Sequence, residues 1–195
     1  IAERLAQDGA TVVVNYREHA EKARRVADGI QAKGGTAAVI QADMSLVAEA
    51  QRLVQDTVQQ FHRLDILVNN AGRFIPRPLM ETTEAEFDAI IALNAKGPYF
   101  AMQAAARVLG NDGRIVNIST ALTHLKFPGA TAHLGSKAAL EQYGKGLAQE
   151  VASRMPSPRI SPVSSGSAIR VTWPPPTRRD ARDHCHAIAA ASRQW

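Results

Sequence analysis

The feature that most constrains this fold is a regular alternation of short apolar runs with longer amphipathic segments. The runs occupy residues 11–15, 37–43, 65–69 and 114–118 and are rich in β-branched side chains. Between them, apolar residues recur at the spacing of one helix face. Continuous apolar runs are typical of strands covered on both faces of a parallel sheet. The alternation therefore predicts right-handed βαβ units and an α/β fold.

The helical segments have recognisable ends. We expect helices over residues 18–33, 46–61, 83–109 and 136–153, and the end of another helix over residues 1–8. Gly9 is a C-cap for that first helix. Thr82 or Thr83 caps the third long helix, with Glu86 in a capping-box pattern. Because the chain begins inside a helix, on Ile and not on Met, we expect a truncated protein.

The composition changes after Met155. Residues 153–195 contain six of the ten prolines, seven serines and seven arginines. Within this stretch, residues 168–172 fit a strand and residues 187–191 fit a short helix. We therefore divide the chain into a domain over residues 1–154 and a tail over residues 155–195 that is disordered or poorly packed.

The formal net charge of +5 suggests nucleic-acid binding until its location is considered. Seven Arg and two Asp within residues 153–195 account for the whole excess, and the other 16 basic and 16 acidic residues cancel. We therefore expect no nucleic-acid partner. The single cysteine, Cys185, rules out a disulfide within the chain and gives no metal-site spacing. No apolar run approaches the ~20 residues of a membrane span. We expect a cytoplasmic protein with no metal site and no membrane partner.

Four groups of polar or small residues stand where predicted strands end, inside a predicted helix or at the start of one. They are Asn69-Asn70-Ala71-Gly72, Asn94, Ser119-Thr120, and His133 with Lys137. With these motifs at this spacing, residues 1–154 resemble a short-chain dehydrogenase/reductase, closest to the 3-oxoacyl-carrier-protein reductase and glucose dehydrogenase branches.

The resemblance implies a Rossmann-type doubly wound parallel sheet with helices on both faces. It also implies that this sheet is incomplete, because the first strand and the glycine-rich phosphate loop are absent. Without that strand the sheet would lose a central member and expose strand edges. The last strands of the fold are doubtful in this chain.

The resemblance implies that two stretches hold the cofactor, one near its adenine and one near its nicotinamide. Asp43 would hydrogen-bond the adenine amino group, with Met44 beside it; alone, Asp43 equally fits an ordinary helix N-terminus. At Asn69-Asn70-Ala71-Gly72, the small residues would let the backbone approach the cofactor while the asparagines lock the loop. As a bare tetrapeptide, this motif also fits a plain turn.

The end of the first predicted strand would select between NADP and NAD. An acidic residue there would hold the ribose hydroxyls and repel a 2′-phosphate. This chain has Asn15 and Arg17 at that point, so Arg17 would pair with the phosphate and favour NADP. Glu18 keeps NAD possible, and Arg17 also fits a solvated loop charge.

The family mechanism needs four groups: a tyrosine acid/base, a lysine four residues later, a hydroxyl that orients the carbonyl, and an asparagine that anchors a relay water. Lys137 fits the lysine, which also holds the nicotinamide ribose. Asn94 fits the asparagine, and Thr120 fits the hydroxyl with Ser119 adjacent. The tyrosine position holds His133.

The histidine makes the activity of this chain an open question. Imidazole transfers protons near neutral pH, so the site is not silent by necessity. However, the ring is shorter than a phenol by roughly 2 Å, and a displacement of ~1 Å can cost ~10²-fold in rate. Lys137 would also disfavour the imidazolium form. The alternative is a helix-edge histidine that packs and does no chemistry.

Three hypotheses follow for the function. The leading one is an oxidoreductase that moves hydride between NADP(H) and a small carbonyl or alcohol substrate. The second is a catalytically silent homologue that acts as a binding or subunit-interaction module. The third is a truncated product without function. The resemblance also implies a homodimer or homotetramer formed through helices 84–109 and 136–153.

Overall fold

The computed structural model describes residues 1–110, 113–125, 127–152, 159–162, 168–172 and 186–190. The strands are β1 (Thr11–Tyr16), β2 (Ala37–Gln41), β3 (Ile66–Asn69), β4 (Arg114–Ile118), β5 (Arg159–Pro162), β6 (Ala168–Thr172) and β7 (His186–Ala190). The helices are α1 (Ala2–Gln7), α2 (Ala20–Gln31), α3 (Val47–Phe61), α4 (Glu84–Ile91), α5 (Gly97–Ala105) and α6 (Thr131–Ala152). Short 3₁₀ turns span Leu79–Glu81 and Ala121–His124.

All seven strands join one sheet in the order β2-β1-β7-β3-β4-β6-β5. The five strands from β2 to β4 are mutually parallel. β6 runs antiparallel to both β4 and β5. Apart from β7, the strands from β2 to β4 are consecutive in the chain and separated by helices, as in a doubly wound sheet. The predicted fold class is therefore confirmed.

The strand β7 occupies the central position that we expected to be vacant. It pairs in parallel with β1, Thr11 opposite His186, and with β3, Ile66 opposite Ala187. The prediction of a short helix over residues 187–191 is wrong. A short apolar run fits either a helix or a strand by periodicity alone, and here two open strand edges supply backbone partners on both sides.

The tail is partly described. The predicted strand over residues 168–172 is confirmed as β6, which pairs with Arg114–Ile118 of β4. The expectation that residues 155–195 are disordered or poorly packed falls largely on residues outside the described ranges. The division of the chain near residue 154 stays a prediction.

Helices cover both faces of the sheet, and each face has its own apolar core. On one face, α3, α5 and α6 pack around Leu53, Leu67, Met102, Ile115 and Leu140. On the other face, α1 and α2 cover Val12 and Val14 of β1. Alternate strand residues point to opposite faces, so both cores draw on the same strands. An apolar cavity of about 360 Å³ lies on the second face, beside Leu5, Val68 and Val116.

The long helix predicted over residues 83–109 is interrupted. It begins with the predicted capping box, in which Thr83 accepts from the Glu86 N–H and the Glu86 carboxylate accepts from the Thr83 N–H. One π turn (Ala92–Lys96) separates α4 from α5, which ends at Ala105. The last predicted helix begins earlier than expected, at Thr131, so His133 lies in the first turn of α6.

Candidate active site

Asn94 organises the centre of the site from the π turn between α4 and α5. Its side chain is fully buried. Its Oδ1 accepts from the N–H of Arg73 at 2.7 Å, and its Nδ2 donates to the Arg73 carbonyl at 2.8 Å and to Ser136 Oγ at 3.0 Å. The extra residue of a π turn commonly marks a functional position. Here the turn directs Asn94 between the loop after β3 and the start of α6.

His133 is held against the same loop. Its Nδ1 lies 3.1 Å from the carbonyl oxygen of Arg73 and 3.3 Å from Asn94 Nδ2. Since a carbonyl only accepts, we assign the proton of the neutral ring to Nδ1, which leaves a lone pair on Nε2. The Phe74 ring packs on the imidazole, with ring centroids 5.0 Å apart and planes tilted by 60°.

Burial dominates the electrostatics of His133 and Lys137 on α6. Burial lowers the pKa of His133, the hydrogen bond to the Arg73 carbonyl opposes that shift, and the Lys137 charge lowers the pKa further. Burial also lowers the pKa of Lys137, to about 8. Removing water disfavours the charged form of each base. His133 is therefore mostly neutral at neutral pH, whereas Lys137 is still mostly protonated.

Lys137 lies beneath the loop after β3. Its Nζ donates to the Ile118 carbonyl at 2.7 Å, so α6 is tied to the end of β4. Gly72 approaches it closely, because a Cβ on Gly72 would lie only 3.3 Å from Lys137 Nζ and 3.4 Å from Asn94 Oδ1. Ala71, just before it, is buried. The predicted Gly72, Asn94, His133 and Lys137 thus converge on one site.

The two predicted hydroxyls face different partners. Thr120 Oγ1 accepts from the Leu122 N–H at 3.3 Å at the start of the 3₁₀ turn, which leaves the Thr120 proton available to another acceptor. The Ser119 hydroxyl instead donates to the carboxylate of Glu141 in a buried contact. Of the pair, Thr120 is the one whose donor is free of an intramolecular bond in the described part of the chain.

The remaining motif residues hold the ends of the strands. Asn69 Nδ2 donates to Asn117 Oδ1 at 2.8 Å, which joins the ends of β3 and β4. Asn117 Nδ2 in turn donates to Met102 Sδ on α5 at 3.3 Å. Asn70 is half-buried in the loop that follows β3. That these asparagines lock the loop stays a prediction.

The other end of the predicted cofactor site lies where β1 and β2 finish. Asn15 is buried and donates to the carbonyls of Ile40 and Ala42, at 3.2 and 3.0 Å. Its amide therefore joins the two strands. Arg17 Nη2 contacts Glu18 at 2.6 Å, and its Nη1 lies 3.7 Å from Asp43 Oδ2. Arg17 and Asp43, both predicted to lie at the adenosine end of the cofactor, are thus neighbours.

Asp43 has a second set of contacts, which fixes its carboxylate. Its Oδ1 accepts from the N–H and the hydroxyl of Ser45, at 2.9 and 2.7 Å. The backbone crosses α5 at the next residue, because a Cβ on Gly97 would lie only 1.7 Å from the Met44 carbonyl oxygen. Met44 is buried by this contact. The adenosine end of the site is thereby anchored to the helix that follows Asn94.

The described residues fit a nicotinamide dinucleotide at both ends of the predicted site. Near the adenosine end, Arg17 Nε is buried and has no acceptor among the described residues. Such a group gains a partner when an anion binds. Near the nicotinamide end, the absence of a side chain at Gly72 leaves room for Lys137 Nζ, because a Cβ there would lie 3.3 Å from it.

Several contributors to the site carried no motif signal. The backbone of Arg73 binds both Asn94 and His133, and the Phe74 ring packs on the histidine. Glu141 contacts Ser119 from one helical turn beyond Lys137. The spacing of Lys137 and Glu141 places them near each other on α6, but a polar residue at that spacing also fits a solvated face.

Comparison with known proteins identifies the class to which this fold and site belong. The family model described as short chain dehydrogenase matches residues 1–162. This chain therefore belongs to the short-chain dehydrogenase family.

Individual relatives agree with that family. An uncharacterised oxidoreductase of Methylorubrum extorquens is 41% identical over 169 residues, covering 87% of this chain and 67% of the relative. A hydroxynaphthalene reductase of Aspergillus fumigatus is 38% identical over 150 residues, covering 77% of this chain and 55% of the relative. This chain therefore spans between about half and two thirds of the length of these relatives.

A solved structure shows the same architecture. A crystal structure of a short chain dehydrogenase from Burkholderia cenocepacia in complex with NADP superposes with a TM-score of 0.76 at 40% identity. The superposition covers 78% of this chain and 63% of that one. In the described part of our chain, no helix is both long and apolar enough to cross a membrane. The cytoplasmic location stays a prediction.

Proposed function

We propose that this chain is an NADP-dependent oxidoreductase that acts on a carbonyl or alcohol substrate. The observation that carries the proposal is the convergence of Asn94, His133 and Lys137 on the loop that contains Gly72 and Arg73. Three of the four groups that the family mechanism needs are present, and His133 stands at the fourth. When bound, the nicotinamide would supply or accept the hydride.

His133 would move the proton through Nε2. With Nδ1 donating to the Arg73 carbonyl, neutral His133 presents a lone pair at Nε2 and accepts a proton from an alcohol. In the reverse direction it must first become imidazolium, which burial disfavours. We therefore propose that at neutral pH the residue serves alcohol oxidation better than ketone reduction.

The other side chains would position the reactants. Thr120 would donate its free hydroxyl proton to the substrate oxygen, since its own lone pair already accepts from Leu122. Lys137 would hold the ribose hydroxyls with an ammonium group. Asn94 would keep the loop after β3 in place and anchor the relay water. Each role rests on the family resemblance together with these contacts.

NADP is favoured over NAD by Arg17. The half-buried guanidinium has a free Nε and lies beside Asp43, and a 2′-phosphate would give it a charge-assisted partner. The relative from Burkholderia cenocepacia was solved with NADP, which supports the same choice. Glu18 competes for Arg17, so the preference is expected to be moderate.

The ring of Phe74 supports an apolar, cyclic substrate. It packs directly on His133 and is 39% exposed, so a carbonyl that meets the histidine also meets this ring. One relative is named a hydroxynaphthalene reductase, which is consistent with a flat aromatic substrate. Aromatic pairs of this kind contribute about 0.5–1.5 kcal/mol beyond area burial.

A cofactor titration and a turnover assay, each with matched variants, test the proposal. NADPH fluorescence should show saturable binding to the wild-type chain, and Arg17→Gln should weaken NADPH roughly tenfold while leaving NADH unchanged. Arg25→Gln, an exposed arginine on α2, is the matched control. Turnover of a cyclic ketone or its alcohol is then compared in wild type and His133→Tyr. No saturable NADPH signal would refute the cofactor assignment, and no turnover in either protein would refute the activity.

Exposed aromatic residues on α4, α5 and α6 favour a second function, subunit interaction. Phe87, Tyr99 and Tyr143 are 46%, 44% and 36% exposed on α4, α5 and α6. Tyr99 and Tyr143 also contact each other edge to face, with centroids 5.1 Å apart. Exposed aromatic residues are enriched at interfaces. We therefore propose self-association through helices 84–109 and 136–153.

Light scattering tests that proposal independently of turnover. Tyr99→Ser should shift a dimer or tetramer toward monomer, while Tyr16→Ser, away from these helices, should not. A monomeric wild-type chain would refute self-association. A dimer that binds no NADPH would favour the silent homologue over the enzyme.

A further inference from the structure

Glu141 is a buried acidic residue that the proposed mechanism leaves without a role. It lies on α6, one helical turn after Lys137, and its side chain is 9% exposed. Its Oε1 accepts from the Ser119 hydroxyl and, at 3.1 Å, from Thr123 Oγ1. Within the described residues both of its partners are hydroxyls. A buried carboxylate is costly unless its hydrogen bonds are made, so this arrangement constrains the residues that make them.

Those two hydroxyls flank Thr120. Ser119 immediately precedes it, and Thr123 closes the 3₁₀ turn that Thr120 begins. The Thr123 hydroxyl also lies 2.9 Å from the Thr120 carbonyl. A hydroxyl has one proton, so the Glu141 side chain and this carbonyl share it. Glu141 therefore holds the backbone on both sides of Thr120.

The same face of α6 also binds Ile118, the residue before Ser119. Lys137 Nζ donates to the Ile118 carbonyl at 2.7 Å, and Glu141 binds Ser119 one position further along the chain. Two side chains that are a single helical turn apart thus fix two consecutive residues at the end of β4. We call the contacts of Glu141 with Ser119 and Thr123 the clamp. Because Lys137 and His133 lie on this helix too, the clamp sets the position of the Thr120 hydroxyl relative to both.

We propose that Glu141 is a positioning residue whose contacts with Ser119 and Thr123 orient the Thr120 hydroxyl toward the substrate carbonyl. This inference rests on the proposed function for its effect on turnover. The contacts themselves do not depend on it. Glu141 touches neither reactant, so it acts through the loop over residues 119–124.

Amide hydrogen exchange tests the clamp without any substrate. In Glu141→Leu, the amides of Leu122 and Thr123 lose the order of the turn and should exchange at least roughly tenfold faster, with core amides of β4 unchanged. Glu141→Gln keeps an acceptor oxygen and should stay within about threefold of wild type. Ser119→Ala removes one arm and should give an intermediate rate. Glu150→Gln, an exposed glutamate on the same helix, is the matched control.

Kinetics then tests the consequence for the reaction. Glu141→Leu should lower kcat/KM for the carbonyl substrate by about tenfold or more while the NADPH dissociation constant changes less than about twofold. Glu141→Gln should restore most of the activity.

Separate results overturn each part. The clamp is refuted if the amides of Leu122 and Thr123 exchange at the wild-type rate in Glu141→Leu. It is also refuted if these amides exchange as fast in Glu141→Gln as in Glu141→Leu. Uniformly faster exchange throughout the protein means general destabilisation and also refutes it; if Glu141→Leu does not fold, Ser119→Ala decides by the same criterion. Wild-type protein without turnover, but with a loop that responds as expected, refutes the proposed function and leaves the clamp supported.

Discussion

The crossing of α5 over the turn after β2 gives the sharpest test of how the fold sets the site. A Cβ on Gly97 would lie 1.7 Å from the Met44 carbonyl oxygen and 2.9 Å from its carbon. Real Cβ contacts are essentially never under 3.0 Å, so in Gly97→Ala the two backbones must separate by roughly 1.3 Å. The neighbouring atoms belong to the backbone, so no side chain can rotate away.

We expect Gly97→Ala to destabilise the protein by about 3 kcal/mol, at the upper end of overpacking costs. In urea, with a slope of about 2 kcal/mol/M, this lowers the unfolding midpoint by about 1.5 M. The shift also moves Asp43 and Met44, so NADPH affinity should fall in the folded fraction.

Gly29→Ala provides the matched control for Gly97→Ala. Gly29 lies in α2 and has nothing within 4 Å of the added Cβ, so alanine should stabilise the helix by up to about 1 kcal/mol. Equal midpoints for the two variants would refute the close approach of α5 to Met44.

Three further changes test other parts of the structure. Burial lowers the pKa of Lys137 in the folded state to about 8, from an ordinary value of 10.5. Between these two pH values the unfolded chain binds more protons than the folded one, so the free energy of unfolding should rise with pH by up to roughly 3 kcal/mol. Lys137→Met should abolish that rise, and a flat wild-type profile would contradict it. Thr83→Ala removes a capping-box acceptor and should cost about 1 kcal/mol in urea unfolding, whereas Thr131→Ala, exposed at the start of α6, serves for comparison. Phe74→Ala should raise KM for a bicyclic aromatic ketone about fivefold or more relative to an aliphatic one, and equal changes for both would argue against the aromatic substrate.

Local patterns predicted the elements whose causes are local. β4 begins and ends where its apolar run does, and the Thr83–Glu86 capping box forms as its spacing indicates. Likewise, the motif residues Gly72, Asn94, His133 and Lys137 come together because they stand at strand ends and on helices that a parallel sheet brings to one edge. The start of α6 was misplaced, since the helix begins soon after Gly129, whose positive φ of 74° ends the preceding loop.

Contacts between distant parts of the chain were harder to predict from the sequence. Glu141 is recognisable as part of the site only through Ser119, which is 22 residues away in sequence. The tie between Asn69 and Asn117 depends on the register of β3 with β4, in which the two residues are direct partners. Periodicity supplies no information about register between strands that are so far apart.

The central strand β7 is a further contact between distant parts of the chain. β7 pairs with β1 and β3 through its backbone, so the slot between them accepts a strand whose chain position differs from that of a doubly wound fold. A proline at Ile188 removes an N–H from a strand that is bonded on both sides, and we expect a loss of about 3 kcal/mol or more. Ile188→Pro should also speed amide exchange in β1 and β3, while Ile169→Pro in β6, away from that slot, should leave β1 protected. If β1 keeps its protection in Ile188→Pro, β7 does not fill the slot between β1 and β3.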